Sequence, residues 1–134
     1  MNKPINQWPS IDLKARELYD IYLDSKKHSD AIGSKASISA RVGGAMKAWD
    51  GYISGKILHL VPGRMIVQTW KGSDWQPGDE SILSLVFQDV DGKGEISLTQ
   101  ANVPGDQLND IKRGWSDFYW KPWKKYIQSL KSKK

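Results

Sequence analysis

The sequence predicts an α+β fold in which a curved antiparallel sheet wraps around a long C-terminal helix. Hydrophobic residues recur with a period of two between residues 35 and 102, and with a helical period on either side of that stretch. The chain of 134 residues also holds seven tryptophans, three of them at Trp115, Trp120 and Trp123. Because each indole buries roughly 150–250 Å², this aromatic segment needs a large apolar surface to lie on, which the strands can provide.

A helical stripe near the N-terminus predicts an amphipathic helix over residues 11–25. Either Ser10 or Asp12 can cap this helix, because a side-chain oxygen can accept a hydrogen bond from a free amide of the first turn. The segment before Pro9 is expected to be extended, and a second short helix or turn is expected to reach Gly33. The residues that form the stripe are Ile11, Ala15, Leu18 and Tyr22.

Turn-forming residues divide the stretch from 35 to 102 into some six strands, with no intervening helix long enough for a parallel crossover. The sheet is therefore expected to be antiparallel. Alternation places Trp49, His59 and Trp70 on strands, where each side chain faces either the core or solvent. The turns are expected at Gly43-Gly44, Asp50-Gly51, Pro62-Gly63, Pro77-Gly78 and Asp91-Gly92.

The helical period returns after residue 105 and predicts a helix over 106–130, which Pro122 should kink or restart because it lacks an amide hydrogen. Trp120 and Ile127 lie on the opposite side of the helical wheel. Either the kink turns them inward or they stay partly exposed. The residues expected to face the sheet are Leu108, Ile111, Trp115, Phe118, Tyr119, Pro122, Tyr126 and Leu130.

The net charge of +5 comes from the end of the chain, because residues 112–134 hold eight Lys or Arg residues and one acid, Asp117. This basic segment is either a solvated helix face or a docking surface for an acidic partner. No nucleic-acid-binding signature accompanies it, so nucleic acid is not expected as a partner. The chain has no cysteine, no secretory signal and no apolar run near the roughly 18 residues of a membrane span. One cytoplasmic domain over residues 1–134 is therefore expected, without a membrane span.

Candidate catalytic and metal-binding residues are few. The two histidines, His28 in a polar turn and His59 on a strand, have no H-x-E or H-x₃-H spacing. Asp79 and Glu80 are adjacent, and adjacent residues of a strand point to opposite faces, so they cannot converge on one substrate. No serine lies in a G-x-S-x-G turn. We therefore expect no catalytic site, no metal and no cofactor.

Specific blocks of residues carry a resemblance to a known family. The matching stretches are residues 18–33, 42–87, 98–106 and 114–127, and the most specific blocks among them read GG…WDG…G, TW…DW…G…S and GW…YW.P. The chain resembles the homologues of the activator of heat-shock-protein-90 ATPase, within the START-like (birch-pollen-allergen, SRPBCC) superfamily. The resemblance implies a helix-grip fold, in which a hydrophobic cavity often lies between the sheet and the long helix. It also implies kinship with co-chaperones that stimulate a chaperone's ATPase.

Two functions are compatible with these features. The first is a non-catalytic module that binds an apolar or amphipathic small molecule, with Trp75 either plugging the sheet edge or forming one wall of the entrance. The second is a co-chaperone-like module that docks a protein partner through the basic C-terminal helix and Trp120. A cyclase or hydrolase is a weaker third hypothesis. An open cavity of about 300 Å³ or more favours the first. The side chains expected to line that cavity are Trp49, Trp70, Trp115, Tyr119 and Tyr22.

Overall fold

The computed structural model describes residues 3–132, so Lys133 and Lys134 of the basic segment lie outside the described residues. The strands are β1 (Ile5–Gln7), β2 (Ser10–Ile11), β3 (Ser37–Ile38), β4 (Ala45–Ala48), β5 (Ile53–Val61), β6 (Met65–Gly72), β7 (Ser81–Val90) and β8 (Lys93–Ala101). The helices are α1 (Ala15–Leu23), α2 (Ser25–Ile32), α3 (Leu108–Gly114) and α4 (Lys121–Ser132), and a π-helical turn (Trp115–Trp120) joins the last two. We call residues 108–132 the C-terminal helix.

The strands form one antiparallel sheet in the order β1-β8-β7-β6-β5-β4-β3, and β2 also pairs with β8. The six strands expected between residues 35 and 102 are confirmed, and the extended N-terminal segment adds two short strands. Side chains alternate as expected, so that Leu85 and its cross-strand partner Leu98 are both buried. The predicted fold class, a curved antiparallel sheet around a long C-terminal helix, is confirmed.

The N-terminal helix is shorter than the sequence predicts. Ile11 lies in β2 opposite Gly94, and α1 begins only at Ala15. Neither Ser10 nor Asp12 caps it. The amide of Ala15 donates instead to Oδ1 of Asp89 on β7, at 2.9 Å, which anchors the start of the helix to the sheet. Asp89, which lies 74 positions further along the chain, thus takes the place of a capping residue next to the helix.

The boundary between α1 and α2 is set by Asp24. Its backbone is extended, which ends α1, and its carboxylate accepts a hydrogen bond from the amide of Lys27 at 2.9 Å, which caps α2. Gly33 ends α2 in the left-handed conformation, with φ of 72°. The expected second helix reaching Gly33 is therefore confirmed.

A π-helical turn changes which side of the C-terminal helix faces the sheet. The amide of Lys121 donates to the carbonyl of Ser116, five residues back, whereas an α-helix would use the carbonyl four residues back. The wider turn brings Trp115 and Trp120 into a stacked pair, with ring centroids 5.6 Å apart and planes 17° apart. It ends at Trp120, two residues before Pro122, which has no amide hydrogen to offer to an α-helical turn.

Residues within and beyond this turn are rotated relative to an α-helical wheel. Trp120 and Ile127 are buried, so the inward alternative for these two is confirmed. Leu130, which the wheel places against the sheet, is 41% exposed, and that prediction was wrong. Phe118 is 56% exposed, although its ring contacts Trp49. The reorientation depends on the π turn. Pro122 itself does not interrupt the helix.

Buried polar side chains tie the C-terminal helix to the sheet. The indole of Trp115 donates to Oε1 of Gln100 at 2.8 Å, and Nε2 of Gln100 donates to the hydroxyl of Ser81 at 3.0 Å. That hydroxyl donates in turn to the carbonyl of Trp70 at 2.6 Å. Gln100 and Ser81 are both fully buried, so each of these bonds satisfies a group that water cannot reach.

Candidate ligand-binding cleft

A cleft of about 440 Å³ opens between the turn that follows β4 and the first half of the C-terminal helix. We call it the aromatic cleft. Its polar lining groups are the carboxylates of Asp74 and Asp110 and the amide of Gln107. Its aromatic lining residues are Trp49, Tyr52, Trp70, Trp115, Phe118 and Tyr119.

Trp49 reaches the cleft from a turn rather than from a strand. Its φ is 54°, and Asp50 and Gly51 follow with φ of 56° and 92°, so three successive residues adopt the left-handed conformation. The expectation that Trp49 alternates within a strand was therefore wrong. The turn holds its indole edge-to-face against Phe118 of the helix, with ring centroids 5.5 Å apart. This pair joins the sheet side of the rim to the helix side.

Packed aromatic rings form the inner wall of the cleft. The ring centroids of Trp70 and Trp115 are 5.9 Å apart, and those of Trp115 and Tyr119 are 4.8 Å apart. Trp75 packs against Trp70 at 5.6 Å and is buried, so it takes the position of the plug rather than of an entrance wall. The indole N–H groups of Trp70 and Trp75 are buried and have no hydrogen-bond partner among the described residues.

Tyr22 lies in the core and does not line the aromatic cleft. Its hydroxyl donates to Oε1 of Gln68, and burial raises its pKa well above the ordinary value. Of the residues expected to line the cavity, the structure brings Trp49, Trp70, Trp115 and Tyr119 together and leaves Tyr22 behind them.

His28 is buried in α2, which corrects the expectation that it lies in a polar turn. Its Nδ1 is 2.7 Å from the carbonyl of Tyr22, and its Nε2 is 3.0 Å from the hydroxyl of Tyr119. Because a carbonyl can only accept, Nδ1 carries the proton and Nε2 accepts from Tyr119. Burial lowers the pKa of His28 to about 4, although the bond to the Tyr22 carbonyl opposes the shift. His28 thus holds the hydroxyl of Tyr119, which lines the cleft, by a hydrogen bond.

The outer rim carries a tyrosine bonded to a carboxylate. The hydroxyl of Tyr52 donates to Oδ1 of Asp74 at 2.7 Å. Burial raises the pKa of Tyr52 to about 12, and the bond to Asp74 and the charges of Asp74 and Asp110 add to the shift. Gly72 makes room for this arrangement, because a Cβ there would meet the Tyr52 hydroxyl at 2.7 Å.

The sequence prediction missed Tyr52, Asp74, Asp110 and Phe118 as cleft residues. A signal for the first two was present, because a hairpin that pairs Ile53 with Gly72 brings the residues just outside that pair together. Phe118 was placed on the side of the helical wheel that faces the sheet, but it was not assigned to the cavity lining.

The described residues show neither a metal site nor a membrane span. Within residues 3–132, no three His, Asp or Glu side chains are grouped so that they could hold a metal ion. Asp79 and Glu80 lie in the loop before β7 rather than on a strand. No helix of the described segment is long and apolar enough to cross a membrane.

The basic face of the C-terminal helix is partly neutralised. Exposed ion pairs join Arg113 to Asp110, Lys121 to Asp117 and Lys131 to Asp12, at 3.3, 3.1 and 2.6 Å. Lys124 and Lys125 are exposed and remain as positive charges on this face. Trp120, expected to serve a docking surface, is buried and donates to Oε1 of Gln7 at 3.0 Å, so it cannot contact a partner directly.

An antiparallel sheet closed around a long C-terminal helix, with a cleft at their junction, defines a helix-grip protein of the START-like class. The sequence model of the family described as "Activator of Hsp90 ATPase homolog 1-like protein" matches residues 12–128, and the chain belongs to that family.

Individual relatives agree with this assignment. The activator of 90 kDa heat shock protein ATPase homolog 1 from Homo sapiens is 27% identical over 104 residues, which cover 78% of this chain and 31% of the relative. The homologue from Dictyostelium discoideum is 31% identical over 101 residues, covering 74% of this chain and 26% of the relative. The chain therefore spans about a third or less of the length of these relatives.

The fold has a similar counterpart among solved structures. The crystal structure of an HSP90 activator from Plasmodium falciparum has a TM-score of 0.81 to this chain, with 24% identity. The match covers 88% of this chain and 91% of the other. At 24% identity this similarity shows a shared fold.

Proposed function

We propose that this protein binds an apolar or amphipathic small molecule in the aromatic cleft and does not alter it chemically. The observation that carries the proposal is the cleft itself. Its volume of about 440 Å³ falls within the range of small-molecule sites, roughly 300–1,000 Å³. Aromatic side chains make up six of its twelve lining residues, and a few polar groups at the rim can orient a ligand.

The non-catalytic part of the proposal follows from the chemistry of the lining. The titratable groups there are two rim carboxylates and two tyrosines, and burial raises the pKa of both Tyr52 and Tyr119. Tyrosines that stay neutral at neutral pH can form hydrogen bonds with a ligand without exchanging a proton. A cytoplasmic location, with neither a cofactor nor nucleic acid involved, belongs to the same proposal.

Replacing Phe118 by alanine tests the cleft directly. A panel of fatty acids, sterols and neutral naphthyl alcohols is titrated by calorimetry, with tryptophan fluorescence as a second readout. The variant is expected to lose about tenfold in affinity for the compound that binds best, because one ring of the rim is gone. Because Phe118 is 56% exposed, the free energy of unfolding of the variant should fall by less than about 1 kcal/mol.

The matched control is Leu130→Ala, which removes an exposed apolar side chain of the same helix that does not line the cleft. It should leave the affinity unchanged. If no compound of the panel binds the unaltered protein, the ligand-binding proposal fails.

Membership of the family favours a second candidate, docking to an Hsp90-type chaperone. The relatives from Homo sapiens and Dictyostelium discoideum are named as activators of that ATPase. Lys124 and Lys125 supply exposed positive charge for an acidic partner. The test measures the ATPase rate of the Hsp90 from the same source with and without this chain. A K124E/K125E variant should reduce any stimulation, whereas a K56E/K71E variant, with exposed lysines on the sheet, should not.

A further inference from the structure

We propose that the aromatic cleft selects organic cations, namely small aryl or alkyl ammonium ions, over neutral and anionic molecules of the same size. The inference rests on the proposed function and names the ligand class for the same cleft. Charge and aromatic geometry support it independently.

The charge lining the cleft is opposite in sign to that of the whole protein. The chain carries a formal charge of +5, yet the charged side chains that line the cleft are Asp74 and Asp110, both negative. Arg113 approaches Asp110 at 3.3 Å, but both side chains of this pair are more than two-thirds exposed. Such a pair contributes little and can open when a ligand cation arrives.

The aromatic rings supply the second element of cation recognition. The face of an indole or phenol ring is the negative part of its quadrupole, and it attracts a cation within about 6 Å of the ring centroid. Trp49, Trp70 and Trp115 line the cleft together with Tyr52 and Phe118. Aromatic walls beside carboxylates are the arrangement that suits quaternary ammonium groups. A carboxylate ligand would gain nothing from the same ring faces.

One carboxylate is held in place at the mouth of the cleft. Asp74 accepts the Tyr52 hydroxyl at 2.7 Å, and the missing side chain of Gly72 lets that hydroxyl lie against β6. A single hydrogen bond leaves further acceptor positions on the carboxylate free to contact a ligand. The charges of Asp74 and Asp110 both act on Tyr52, so the two acids influence the same region of the rim.

The test compares three probes that share one ring system: 2-naphthylmethyl-trimethylammonium, 2-naphthalenemethanol and 2-naphthylacetate. Binding is measured by calorimetry at low and high salt. The cation is expected to bind about tenfold more tightly than the alcohol, and the anion more weakly than either. Added salt should reduce the preference without removing it, because salt screens the exposed carboxylates but not the contacts with the rings.

The variants isolate the charge. Asp74→Asn and Asp110→Asn keep the shape of each side chain, and the amide oxygen at position 74 can still accept from Tyr52. The double variant should reduce the cation's affinity about fivefold and leave that of the alcohol unchanged. Asp20→Asn is the control, because this exposed acid on α1 is not part of the cleft and its loss changes the net charge in the same direction.

Two outcomes would overturn the inference in distinguishable ways. Equal affinities for the three probes, or a cation preference that the double variant leaves undiminished, would refute cation selectivity and leave ligand binding intact. If neither these probes nor the wider panel of apolar compounds binds, the proposed function fails, and the inference fails with it.

Discussion

Replacing Trp115 by alanine is expected to lower the free energy of unfolding by about 4 kcal/mol, within the range for truncating a buried tryptophan. Its indole is 2% exposed and packs against Trp70, Tyr119 and Trp120. The substitution also removes the hydrogen bond to Oε1 of Gln100 and leaves that buried oxygen without its donor. Because Trp115 forms part of the cleft wall as well, ligand affinity should fall together with stability.

Urea denaturation of the variant measures the loss, and Trp115→Phe separates its two causes. Phenylalanine keeps an aromatic ring in the core but cannot donate to Gln100, so it should cost about 1–2 kcal/mol. A loss below about 1 kcal/mol for the alanine variant would contradict the packing described here, because a well-packed buried tryptophan cannot be truncated at so low a cost.

The strands could be predicted from the sequence because their signals are local. In β7, Leu83, Leu85 and Phe87 are buried and Ile82 is exposed, as the alternation requires. Gly51, Gly63, Gly78 and Gly92 each adopt positive φ at the expected turns. Each signal depends on residues next to one another in the chain, so no knowledge of the tertiary structure was needed.

The second half of the C-terminal helix could not be predicted in the same way. A helical wheel assumes a constant rotation per residue, and one π turn breaks that assumption for every residue that follows. Ile127 is therefore found inside and Leu130 outside. Pro122 indicated an irregularity, but a missing amide hydrogen is compatible with a kink as well as with a π turn.

The candidate site was predictable only where residue type decides burial. Trp70, Trp115 and Tyr119 were assigned to the space between sheet and helix because they are large aromatic residues, and they line the cleft. Asp74 and Asp110 come to the cleft through tertiary structure, by the pairing of β5 with β6 and the packing of the C-terminal helix. His28 was misplaced because its neighbours are polar, although Ala31 and Ile32 share the buried side of α2 with it.

Lowering the pH from 7 to 4.5 is expected to reduce stability through His28. Its folded pKa of about 4 lies below the ordinary value of 6.5, so the unfolded chain binds a proton more readily than the folded protein does. The contribution of the neutral ring is complete above pH about 6.5 and is lost progressively as the pH falls toward about 4. The shift corresponds to about 2–3 kcal/mol of stability lost by pH 4.5.

The comparison that isolates this histidine uses urea denaturation of His28→Gln and His59→Gln across the same pH range. Glutamine at position 28 does not titrate, so that variant should be less stable at pH 7 but lose less stability on acidification. The His59→Gln variant, altered at an exposed position of β5, should keep the dependence of the unaltered protein. In that variant His28 is the remaining histidine, so its NMR signal can be followed directly. A titration midpoint near 6.5 would contradict burial of the ring between Tyr22 and Tyr119, because a ring open to water keeps its ordinary pKa.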